Sequence, residues 1–154
     1  MLIVILTSFA LIVATVMIHY ELLRGTSRLI PKLSIPPRSR ILVVIFAVFV
    51  AHFIEVCLYA LAYHVMSTQG LGAIDGKTEG NALDLFYFSI STYTTLGIGD
   101  LHAVGSIRLI AGIESLNGLV LIGWSASFTY LSMERFWEAH RHAASVRTKG
   151  HHTE

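Results

Sequence analysis

Apolar positions fall into three long blocks, residues 1–23, 41–66 and 107–133, and one short block, residues 83–94. Crossing a hydrocarbon core takes about 20 apolar residues at helical rise, so each long block predicts a membrane-spanning helix. The short block cannot cross. It predicts a helix that enters and turns back, a course tolerated only where protein or water surrounds the backbone. Between the blocks, residues 24–40 carry Pro31, Pro36 and Pro37, which deny that linker a continuous helix. Residues 67–82 are rich in glycine and polar side chains and read as an exposed turret, and residues 134–154 read as a tail. The first block has neither a charged leading region nor a small-residue cleavage site, so it is expected to stay as a span.

Charge orients these elements. Arg24, Arg28, Lys32, Arg38 and Arg40 face only Glu21 around the first linker, and Arg135, Arg141, Arg147 and Lys149 follow the last block. By the positive-inside rule both segments are cytoplasmic, whereas Asp75, Glu79 and Asp84 against Lys77 put the middle loop outside with the N-terminus. Phe136 and Trp137 read as an inner interfacial belt, and His140, His142, His151 and His152 as a solvated tail.

Composition narrows the function. The chain has 154 residues, is 54% hydrophobic and only 14% charged, and carries a formal net charge of +1. A nucleic-acid partner needs a basic surface that is absent, and the single cysteine, Cys57, permits no intrachain disulfide. No nucleophile, base and orienter converge on an enzyme site, and no bound cofactor is expected. Residues 1–23 hold no ladder of arginines, which excludes a voltage sensor of that kind.

The chemistry concentrates after the short block, in Thr94-Thr95-Leu96-Gly97-Ile98-Gly99-Asp100. Alternating glycines let the backbone adopt positive φ, so that successive carbonyls can turn the same way. Rings of such carbonyls replace the water shell of a dehydrated cation without burying fixed charge, and one segment per chain requires several chains to close the ring. A phosphate loop is excluded, because no strand precedes the glycines and no lysine follows them.

In order and in motif, residues 41 to 133 resemble the potassium-channel pore family, whose filter reads Thr-Val-Gly-Tyr-Gly. Supporting matches are the aromatic run Phe86-Tyr87-Phe88-Ser89, Arg108, Glu114, Asn117-Gly118 and Gly123-Trp124-Ser125. The resemblance implies an all-α membrane homotetramer. Its parts would be an N-terminal peripheral helix (1–23), an outer helix (41–66), a pore helix (83–94), a filter (95–100) and a pore-lining inner helix (107–133). It implies a small bacterial channel of the plasma (inner) membrane, with K+ as the permeant ion.

Residue by residue, the resemblance makes Thr95, Leu96, Gly97 and Ile98 the K+ ligands through their carbonyls, with Gly99 allowing the chain to exit and Thr94 supporting from behind. Asp100 would line the outer mouth, where a turn or capping role is the alternative, and Tyr87 would donate a hydrogen bond to it. Ser91 stands where some members carry glutamate, so no carboxylate pair is expected behind the filter. Gly118 aligns with a gating hinge, although glycine equally permits close helix packing. Ile98 in place of tyrosine leaves open a weakly selective Na+/K+ channel, and a non-conducting membrane scaffold is the rival from another class.

Ionisable groups within spans are costly and are expected to be paired. Counting depth inward from Met66 and Ile107 sets Glu55 level with Asn117, Tyr59 with Glu114 and His52 with Leu121, which predicts a Glu55–Asn117 pair. His52 and Glu55 share a helix face at i,i+3. They read as a neutral tie between helices or a protonation-sensitive gate, two ligands being too few for a metal.

Overall fold

The computed structural model describes residues 1–77 and 80–150, apart from the side chains of residues 37, 38 and 136–150. Its elements run α1 (Leu2–Leu29), α2 (Pro37–Thr68), β1 (Gly72–Gly76), α3 (Ala82–Tyr93), β2 (Leu101–Gly105) and α4 (Arg108–Gly150), with a 3-10 turn at Ile30–Lys32. Three helical segments are long and apolar enough to cross a membrane: Leu2–Lys32, Ser39–Thr68 and Arg108–Arg135. The chain is an all-α integral membrane protein with one small sheet.

Several boundaries differ from those read in the sequence. Helix α1 continues through Arg24 and Arg28, because nothing stops it before Pro31. Leu33 is then extended, and Pro37 restarts the helix in its first turn, where a missing N–H leaves no bond unmade. Helix α4 runs on to Gly150 through much of the segment read as a tail. The side chains of Phe136, Trp137, His140 and His142, and all of His151 and His152, lie outside the described residues.

The expected turret holds a strand. Strand β1 pairs antiparallel with β2, from Gly72 opposite Gly105 to Gly76 opposite Leu101. The two strands lie on either side of α3 in the sequence, so neither forms a local hairpin. Ser106 N–H donates to the Leu71 carbonyl at 2.9 Å and Lys77 N–H to the Asp100 carbonyl at 3.1 Å, which extends the tie at both ends.

Helix packing follows a 3/4 spacing of buried positions. On α1 these are Val4, Ser8, Leu11, Thr15, His19, Leu23 and Thr26, the face that meets α2 and α4. Its hydroxyls are harmless in an apolar bundle because they bond back to their own helix: Ser8 to the Val4 carbonyl and Thr15 to that of Leu11, both at 2.8 Å. Large residues such as Phe9, Val13 and Met17 face outward, as a lipid-facing surface requires. On α2 the buried line is Val44, Ala51, Glu55, Tyr59, Tyr63 and Met66, and on α4 it is Ile110, Glu114, Asn117, Leu121 and Ser125.

Helix α3 is wedged between α2 and α4. It lies tight against Gly118, where an added Cβ would overlap the Tyr93 carbonyl and press on the Tyr93 ring. Nothing lies within 4 Å of a Cβ built at Gly112. Gly118→Ala is therefore expected to destabilise the protein by about 1–3 kcal/mol through overpacking, whereas Gly112→Ala leaves it close to wild type. Thermal unfolding of the purified protein in detergent checks the difference, and equal melting temperatures would show that α3 does not depend on this approach.

Candidate functional site

Helix α3 starts on a capping box: the Asn81 side chain accepts from Asp84 N–H at 3.0 Å, and Asp84 reaches back to Asn81 N–H at 3.3 Å. The helix ends at Tyr93, and the chain after it does not leave freely. Thr95 N–H donates to the Thr92 carbonyl at 3.0 Å, while Leu96 and Gly97 N–H both reach the Ser91 carbonyl, at 2.9 and 3.3 Å. Ser91, itself buried, thus holds the following segment through its backbone.

Along that segment the sign of φ alternates. Thr95, Gly97 and Gly99 have φ of 58°, 56° and 87°, and no positive φ occurs at Leu96 or Ile98 between them. Thr95 is the one non-glycine residue with positive φ among the described residues, a conformation that costs an L-residue about 1–2 kcal/mol. Residues 94–99 are exposed in the single chain, with Leu96 at 67% and Ile98 at 57%. Leu96 therefore does not pack on α3 within its own chain.

The far end is pinned at Asp100. Tyr87 donates to Asp100 Oδ2 at 3.0 Å, Asp100 Oδ1 accepts from Leu101 N–H at 3.0 Å, and β2 begins immediately after. Desolvation, and then the bond to the carboxylate, hold the Tyr87 phenol above its ordinary pKa, so it remains a donor through neutral pH.

Two buried carboxylates, Glu114 and Glu55, pack against α3, each with its own donors and neither bonded to the other. Glu114 accepts from Tyr63 and from Ser89 Oγ, the latter at 2.6 Å. Glu55 accepts from His19 Nδ1 at 2.9 Å, His52 Nδ1 at 3.1 Å and Tyr93 at 2.5 Å. The expected Glu55–Asn117 pair does not form: Asn117 donates to Thr15 at 2.8 Å and to Tyr59 at 3.1 Å.

The error is one helical turn and has one cause. Tyr63, not Tyr59, is level with Glu114, and His52 meets Ser125 instead of Leu121. Helices α2 and α4 do not start at a common level: Ser106 is bonded to Leu71, beyond the end of α2 at Thr68, so α4 begins farther out. His19 went unread. The signal for it was the run Ser8, Thr15, His19, Thr26, polar positions sharing the one buried face of an otherwise apolar helix.

A family model described as an ion channel matches residues 41–135, from the start of α2 through the spanning part of α4. The chain belongs to the ion-channel family. No curated protein and no solved structure matches it. Family membership and the three spans make it a channel-type membrane protein, a transporter of ions and not an enzyme. Helix α1 lies outside the matched region.

Tyr87→Phe removes the side-chain donor that ties α3 to Asp100. Backbone amides of residues 96–101 are then expected to exchange with solvent several-fold faster, with the spanning helices unchanged. Hydrogen-exchange mass spectrometry reads this, and identical exchange in that segment would show that the bond does not hold it.

Proposed function

We infer that four copies of this chain surround a central axis and conduct K+ through a filter formed by residues 95–100. The alternating φ at Thr95, Gly97 and Gly99 carries the reading. A strand whose residues alternate in handedness directs successive carbonyls to one side, and stacked carbonyl rings are what a dehydrated monovalent cation needs. Its anchoring at both ends, by Ser91 and by Asp100, suits a ligand cage that must keep its diameter.

The assembly is supported by what a single chain leaves bare. Leu96 and Ile98 are exposed beside the segment, and Leu116, Leu119 and Val120 on α4 are exposed at 58–65%. Neighbouring copies would cover part of this surface. In this reading α3 is the re-entrant pore helix, α2 the outer helix, α4 the inner helix and α1 peripheral, with the N-terminus outside. Thr95, Leu96, Gly97 and Ile98 supply the K+ ligands, and a ring of Asp100 carboxylates concentrates cations at the outer mouth. Gly118 acts as a packing glycine against Tyr93, since its Cβ space is already occupied.

Ile98 favours a second reading within the same class, a weakly selective Na+/K+ channel, because it has no hydroxyl to brace the filter. Purified protein in liposomes is expected to pass K+, and Gly97→Ala, which forces alanine into a left-handed backbone, is expected to cut flux to about a tenth or less. Reversal potentials under Na+ and K+ gradients separate the two readings: equal permeability removes the K+ claim. An assembled protein that passes neither ion would instead be a scaffold.

A further inference from the structure

The cluster around Glu55 contains more than the ion path uses. His19 from α1, His52 and Glu55 from α2 offer one donor atom each, all within 4.8 Å of one another. Three further groups close around them: the Tyr93 hydroxyl, 2.9 Å from His52 Nδ1; Ser125 Oγ of α4; and the Trp124 ring, 5.2 Å from that of His19. We propose that His19 Nδ1, His52 Nδ1 and a Glu55 carboxylate oxygen bind a transition-metal dication of the Zn2+ class, with the Tyr93 oxygen beside the fourth position.

The ligand set fits. Two imidazoles and a carboxylate suit a borderline-soft dication such as Zn2+, and would disfavour Ca2+ or Mg2+, which take oxygen cages. Bonds of about 2.0–2.2 Å in tetrahedral geometry hold neighbouring donors roughly 3.3–3.6 Å apart. The two imidazole nitrogens stand 2.9 and 3.1 Å from the carboxylate oxygens, so small side-chain rotations open the required space.

The surrounding hydrogen bonds favour the same occupant. Without a metal, neutral histidines that donate from Nδ1 to Glu55 leave both Nε2 atoms as acceptors. Ser125 Oγ is the partner of both, at 3.1 Å from His19 Nε2 and 3.0 Å from His52 Nε2, and its hydroxyl has a single proton to give. With both rings neutral one Nε2 is then left short, and a second proton on one ring is the only metal-free way to fill it. With a metal on the Nδ1 atoms the protons move to Nε2, and one serine oxygen accepts both bonds through its two lone pairs. That is the usual support for a metal-bound histidine, whose second ring nitrogen donates to a nearby oxygen. In the single chain the His52 side chain is 19% exposed, while those of His19 and Glu55 are fully buried.

The metal would clamp α1 to α2 and sit against Tyr93, two residues before Thr95. The site does not depend on the conduction reading, and its test measures binding instead of flux. The tag-free full-length protein, with His140→Asn, His142→Asn, His151→Asn and His152→Asn to silence the tail, is titrated in detergent with Co2+ and then Zn2+. The expected result is one Co2+ per chain with the intense visible bands of a four- or five-coordinate site, displaced by Zn2+, and X-ray absorption showing two imidazoles on the zinc. His19→Gln and Glu55→Gln abolish stoichiometric uptake, and Ser125→Ala weakens it about 10–100-fold. No uptake by the otherwise intact protein, a six-coordinate all-oxygen spectrum, or binding undiminished by His19→Gln would each overturn the proposal. The Co2+ spectrum of the unsubstituted cluster decides the matter even where a cluster variant fails to fold.

Discussion

A polar group inside an apolar bundle has no water to fall back on, and this chain places two carboxylates there. Glu114 and Glu55 are fully buried, one on α4 and one on α2, and each is answered by hydroxyls of α3: Ser89 for the first, Tyr93 for the second. A carboxylate left without its donors in such a place is costly, so both pairs must form together. Their joint demand positions α3, a helix of only 12 residues that has no span of its own to fix its depth.

From that constraint the neighbouring features follow. Helix α3 approaches α4 so closely that only glycine fits at position 118, and Ser115 Oγ caps the Thr92 carbonyl at 3.0 Å on the same side. The segment after Tyr93 inherits a fixed origin, through the Ser91 carbonyl, and a fixed end, through Tyr87, Asp100 and the sheet. A backbone that alternates in handedness, with a threonine in the left-handed region, persists only when its surroundings over-determine it. Helix α1 joins this system through three polar contacts that cross the bundle, Thr15 with Asn117 and His19 with both Glu55 and Ser125.

Much of the fold was legible because hydrophobic length and charge are local properties. Three apolar blocks, a short fourth and the glycine alternation needed no tertiary information, and the Tyr87–Asp100 bond was anticipated from the resemblance of its segment. The β1–β2 pair was not legible. Gly72–Gly76 and Leu101–Gly105 show no sustained alternation, and their partnership spans α3. The continuation of α1 to Leu29 and of α4 beyond Met133 was missed for a related reason, since amphipathic or polar residues continue a helix as readily as apolar ones once no proline intervenes.

The amino-acid sequence alone determined that this chain lies in a membrane, that three segments cross it, and that a short helix between the last two is followed by a segment of alternating glycines. Those conclusions rest on transfer free energy and backbone sterics, which act residue by residue. Only the tertiary structure decided which polar groups meet, because pairing depends on the relative height of helices and a single turn of offset changes every partner. That offset, set where Ser106 is bonded to Leu71, separated Glu55 from Asn117 and left it between two histidines from different helices.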